Sequence, residues 1–189
     1  MRALRTPHQP RAPRGPALRA LLRRLSGTGG EPVRPLLFYL IAITIVACDQ
    51  VSKHVVMQHL PLHVRTPVLG SFLSLTHTQN TGGAFSLFKA HNAVFVAISV
   101  VALVALIGAY HRFQRHDLWV SAGLALALGG AIGNLIDRAR FGYVVDFFDL
   151  GWWPIFNVAD SAITVGIVLL AFLFLFRKES APAPTASES

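Results

Sequence analysis

Apolar residues run without a regular polar face through four stretches of the chain: Leu36 to Met57, Ala93 to Tyr110, Leu118 to Ile136, and Asp160 to Phe176. Each approaches the roughly 20 helical residues needed to cross a hydrocarbon core. A soluble bundle would carry a polar stripe at the helical period, and none of the four does. The pattern predicts four membrane-spanning helices, with polar residues entering only in the last third of the first. Between the first two, Val68 to Thr78 is rich in Val, Leu, Phe, Ser and Thr with partial alternation, and it leads into the turn formers Asn80-Thr81-Gly82-Gly83. That predicts a small strand ribbon resting on the membrane surface. The expected fold class is an all-α membrane protein of four transmembrane helices with a small extracytoplasmic β-ribbon.

Composition sharpens this reading. The 189 residues suit one domain, and only 14% are charged against 53% hydrophobic, where a soluble domain carries roughly a quarter charged. Eight Arg against the single acid Glu31 place +7 of the formal +8 charge in residues 1–34. A basic tail on a near-neutral apolar body fits anionic lipid and excludes a nucleic-acid groove, which needs basic residues over a folded surface. The tail, rich in Arg, Pro and Gly, is expected to be disordered, as is the Ala/Pro/Ser tail 179–189, leaving 35–178 as the transmembrane body. Arg112 and Arg115 between the second and third spans, Arg177 and Lys178 after the fourth, and the N-terminal Arg residues all fall on one side. The positive-inside rule makes that side cytoplasmic. Both termini then lie inside, and connections 58–92 and 137–159 lie outside. Trp152 and Trp153 in the second connection are expected as interfacial anchors.

Carboxylates at a bilayer edge are costly and call for a reason. Asp49, Asp137, Asp146, Asp149 and Asp160 all map to the outer face, with Asn80, Asn134 and Asn157. Asp49 precedes Lys53 by one helical turn, which predicts an ion pair. Asp137 precedes Arg138 and is expected to pair with it. Asp146, in Val144-Val145-Asp146-Phe147-Phe148, has apolar neighbours that should raise its pKa by desolvation. Asp160 follows the helix-capping Asn157 by three residues, where the helix dipole favours the anion. Two carboxyls with opposed environments suit acid–base hydrolysis.

Five motifs then match one family in order. Asp49-Gln50-Val51-Ser52-Lys53, Asn80-Thr81-Gly82-Gly83-Ala84-Phe85, Gly129-Gly130-Ala131-Ile132-Gly133-Asn134-Leu135-Ile136-Asp137-Arg138, Val144-Val145-Asp146-Phe147 and Phe156-Asn157-Val158-Ala159-Asp160-Ser161 closely resemble the motifs of the lipoprotein signal peptidases, or signal peptidase II. The resemblance covers residues 36–176. It implies a monomeric aspartic endopeptidase of the bacterial inner membrane, in contact with membrane lipids. Such an enzyme cuts the signal peptide from prolipoproteins just before a diacylglyceryl-cysteine, with no cofactor and no metal. The catalytic pair it implies is Asp146 and Asp160. Asp49, Lys53, Asn80, Gly82, Gly130, Asn134, Asp137, Arg138, Asn157 and Ala159 would bind substrate or support the site. The Arg-rich extension departs from the family pattern. A flap over residues 80–88 is a further expectation.

Three other classes compete. A Ser/Lys peptidase would use Lys53 with Ser52 or Ser161, but adjacent helical residues point about 100° apart. Metal hydrolysis would draw on His54, His59, His63 and His77, yet Pro61 interrupts any helical spacing and no His-Glu-x-x-His occurs. A proton-coupled transporter would want acids near the midplane and internal repeats.

Overall fold

The structure is a computed structural model and describes residues 33–82, 92–113 and 118–176. The expectations for the two tails, and for the flap beyond Gly82, lie outside the described residues. Among the described residues four helices form: α1 (Val33–His59), α2 (Asn92–Phe113), α3 (Leu118–Phe141) and α4 (Val158–Phe176). All four are long and apolar enough to cross a membrane. Helix α1, with 27 residues, measures about 40 Å and runs a turn or so past the predicted span.

Helix α3 is the hub, packed against α1, α2 and α4. Its small residues permit this. A Cβ on Gly129 would meet the Ala42 carbonyl at 2.7 Å, and one on Gly130 would collide with the Ala159 carbonyl. Gly123 faces Gly166 and Gly130 faces Ala159, so the two contacts sit seven residues apart on both antiparallel helices. Close backbone approach of this kind drives helix association where lipid removes the hydrophobic incentive. Near the other end of α3, Phe38 and Tyr110 stack at 3.6 Å between centroids beside Val120, Leu124 and Leu128. The outer faces of α2 and α4 leave Val101, Val104, Phe174 and Leu175 exposed, which suits a lipid-facing surface.

A three-stranded antiparallel sheet caps one end of the bundle, ordered β1 (Arg65–Leu69), β2 (Leu73–Asn80) and β3 (Val144–Asp149). The ribbon expected over 68–78 is the β1–β2 hairpin. Strand β3 was not expected from the pattern. It pairs with β2 through Thr78 opposite Asp146 and Asn80 opposite Val144, which brings two motifs 66 residues apart side by side. Phe147 and Val145 pack on Val56 near the end of α1. After β3 the chain loops through Trp152 and Trp153, pairs Phe156 back onto Phe148 and enters α4 at once.

Candidate active site

The carboxylates of the sheet end fall into three settings, the first two of them joined through Asn134. Asp146, on buried β3, and Asp160, in the first turn of α4, share the amide of Asn157. Asn157 Nδ2 donates to Asp146 Oδ1 at 2.7 Å, while Asn157 Oδ1 accepts from the Asp160 backbone N–H at 2.9 Å. In return the Asn157 backbone N–H donates to Asp160 Oδ2 at 3.2 Å. This reciprocal pairing is a capping box, so the interaction that starts α4 also holds the carboxylate in place. Asn134 Nδ2 reaches the other oxygen, Asp160 Oδ1, at 2.7 Å from α3. Asn80 Nδ2 donates to Asp146 Oδ2 at 2.9 Å from the end of β2. The Gly82 N–H holds Asn80 Oδ1 at 3.0 Å, which turns the Asn80 N–H toward the carboxylate. Gly82 has φ 113°, a backbone state that favours glycine.

Burial drives the Asp146 carboxyl up to about 6 from an ordinary 3.8, with the Asp160 charge pushing the same way. The hydrogen bonds from Asn80 and Asn157 only partly offset this. The sheet end thus holds a carboxyl able to carry a proton near neutrality beside a second carboxyl that accepts two donors.

Asp49 and Asp137 form the second setting. Lys53 Nζ lies 2.8 Å from Asp49 Oδ2 and 2.9 Å from Asp137 Oδ2, all three side chains being buried. Asp49 Oδ1 accepts the Ala159 N–H, and Asp137 Oδ2 accepts the Val145 N–H, both at 3.0 Å. These contacts tie α1 to the start of α4 and α3 to β3. The expected Asp137–Arg138 pair is not what forms. Neighbouring positions on a helix diverge, so Asp137 turns inward to Lys53. Arg138 instead lies over the Phe95 ring, 5.6 Å from its centroid, and donates weakly to the Asn134 carbonyl at 3.5 Å. Gly133 makes room for Asp49, since a Cβ there would sit 2.6 Å from Oδ2. Sequence reasoning gave Gln50 no role, yet its Nε2 donates to Asp137 Oδ1 at 3.0 Å and to the Gly133 carbonyl at 3.2 Å. An amide inside an apolar span, next to Asp49, was the available clue.

The third setting is Asp149, which accepts from Thr76 Oγ1 and the Gly151 N–H, both at 2.8 Å, with Arg65 Nε at 3.3 Å. Those donors hold its carboxyl below the usual range. The turn it fixes carries Trp152 and Trp153. They form one wall of a groove of about 400 Å³ that runs from Asp160 past Phe156 to Thr164 and Val165.

Ser52 Oγ donates to the Asp49 carbonyl and Ser161 Oγ to the Asn157 carbonyl, and the three Lys53 donors go to Asp49, Asp137 and Asn134, so neither serine is hydrogen-bonded to Lys53. Among the described residues, no three His, Cys, Asp or Glu side chains converge in a group fit for a metal.

Comparison with known proteins gives a consistent result. A family model described as signal peptidase (SPase) II matches residues 41–176. The lipoprotein signal peptidase of Moorella thermoacetica is 44% identical over 138 residues, covering 73% of this chain and 92% of that protein. That of Enterococcus faecalis is 40% identical over 148 residues, covering 77% and 91%. A solved bacterial membrane enzyme, determined in meso at 2.3 Å resolution, superposes with a TM-score of 0.72 at 30% identity, covering 78% of this chain and 94% of its own. With four apolar helices, a capping sheet and the matching motifs in place, this multi-pass membrane protein belongs to the signal peptidase II family of lipoprotein signal peptidases.

Proposed function

We propose that the protein is an aspartic endopeptidase that removes the signal peptide from diacylglyceryl-modified prolipoproteins, cutting before the lipidated cysteine, with Asp146 and Asp160 as the catalytic dyad. The observation that carries this reading is the pair of carboxyls joined through Asn157 at the sheet end of the bundle, one of them raised to about 6. Asp160 acts as base and takes a proton from water, whose oxygen bonds to the scissile carbonyl carbon. Asp146 gives its proton to the carbonyl oxygen. Collapse of the resulting diol breaks the C–N bond, as the amine leaves with the proton held by Asp160 and Asp146 regains its own. Asn80, Asn134 and Asn157 keep both carboxyls aimed at the space where the water and peptide bond meet. The apolar groove beside Asp160 offers a dry surface to the lipid-modified substrate.

Residues 35–178 form the catalytic body in this reading. The enzyme works as a monomer in the bacterial inner membrane, with both termini cytoplasmic and the sheet end outside, an orientation supported by the Arg-rich tail and Arg112. The test is to incubate the purified full-length chain in detergent with a diacylglyceryl-modified prolipoprotein and with its unlipidated form. Cleavage of the lipidated form alone, undiminished by a chelator, is expected. Equal cutting of both forms, or loss of activity to the chelator, would count against the proposal.

A further inference from the structure

Resting on that dyad, we propose that Lys53 is a positioning residue for catalysis: it fixes the amide of Asn134 so that its N–H faces Asp160, and it keeps Asp49 and Asp137 from capturing that amide. An ammonium has three donors and no acceptor. All three of its donors are matched here, by Asp49 Oδ2, Asp137 Oδ2 and, at 3.0 Å, Asn134 Oδ1. Only the oxygen of the Asn134 amide can face Lys53, so Nδ2 must lie on the opposite side. That side is occupied by Asp160 Oδ1 at 2.7 Å. The charge on α1 thereby sets the orientation of a donor on α3 that holds a catalytic carboxylate on α4.

Removing the ammonium changes the competition for that donor. Asp49 and Asp137 would then be two buried carboxylates without a counter-ion, each an acceptor for the same Asn134 N–H. Asn157 Nδ2 also touches Asn134 Oδ1, at 3.1 Å, but shares its two hydrogens with Asp146 Oδ1 at 2.7 Å and the Val145 carbonyl at 3.3 Å. It is a weak hold by comparison with the charged donor. Among the described residues, Asp146 on β3 and Arg138 on α3 act electrostatically on Asp160, while Lys53 is bonded to the amide that Asp160 uses.

Lys53→Gln tests this, because an amide at that position accepts as well as donates and lets Asn134 turn. The full-length enzyme in detergent is assayed on lipidated prolipoprotein as wild type, Lys53→Gln, Asn134→Leu and the double variant, with kcat expressed per folded molecule. Expected is a fall in kcat of about tenfold or more in Lys53→Gln with KM nearly unchanged, and no further fall when it is added to Asn134→Leu. The pair Lys53→Gln/Asp137→Asn keeps the net charge of the buried trio and should show the same kcat loss should the single variant fold poorly. Independent, additive losses would overturn the proposal, as would a loss accounted for entirely by less folded protein, with kcat per folded molecule unchanged. Cleavage by Asp160→Asn would overturn the dyad itself, whereas an essential Asp160 with additive Lys53 losses would remove only this inference.

Discussion

At the scale of single residues, the acidity of Asp146 has two measurable consequences. Asp146→Asn and Asp160→Asn preserve size and remove the titrating proton, so each should lower cleavage of a lipidated precursor by about three orders of magnitude or more without unfolding the protein. Because burial raises the Asp146 carboxyl from 3.8 to about 6, the folded protein binds this proton more tightly than the unfolded chain does. Its contribution to stability is complete below 3.8 and is lost as pH rises through about 6, amounting to roughly 3 kcal/mol. Melting temperatures measured in detergent across that interval should fall for the wild type and fall less for Asp146→Asn. If the two curves run parallel, the proton is not held where the geometry implies. Asp137→Asn belongs to a different class, since it removes one of the two carboxylates on Lys53. It should cost less than Lys53→Met, which strands both and falls in the range of about 3–5 kcal/mol for a broken buried pair. Thermal unfolding of the two variants gives the ranking.

At the scale of elements, the four helices, the hairpin, the Asp49–Lys53 pair and the Asn157 cap were legible in the sequence, while β3 and the long-range contacts of the site were not. Helix prediction needed only uninterrupted apolar length. Strand β3 lacks the in-out alternation of a half-exposed strand because Val144 to Phe147 are all buried, so its period is silent. Asp146 and Asp160 could be singled out from their local neighbours, apolar in one case and a helix cap in the other. The true partner of Asp137 could not, because Lys53 lies 84 positions away and reaches it only through the α1–α3 contact. That contact, and the one between α3 and α4, depend on missing side chains. Gly130→Ala should push α4 away from α3 at Ala159, with a cost of about 1–3 kcal/mol and a loss of activity, because Ala159 adjoins Asp160 of the proposed dyad. Gly108→Ala on α2 meets nothing within 4 Å and serves as the control, expected to be neutral or slightly stabilising in the same melting assay.

At the scale of the whole molecule, orientation is the property to test. With Cys48 replaced by Ser, a single cysteine is introduced at Ser71, in the turn between β1 and β2, or at Ser189. An impermeant thiol reagent added to intact spheroplasts should label the first and spare the second. The opposite result would turn the sheet end toward the cytoplasm and remove the substrate's route to Asp160. Deleting residues 1–33 should leave cleavage in detergent largely intact, since the described body makes its site from residues 49–160, and should affect instead the yield of correctly oriented protein in cells.

The proposed dyad is drawn from the last two described elements, β3 and α4. Asp146 precedes α4 in the chain, but Asn157 and Asp160 come only with α4, whose Ala159 N–H docks on Asp49 of α1. A polypeptide halted after α3 would carry the supporting residues of α1 and α3 and neither proposed catalytic aspartate. In the proposed mechanism cutting therefore waits on α4, and a chain truncated before Val158 is expected to show no cleavage of a lipidated precursor.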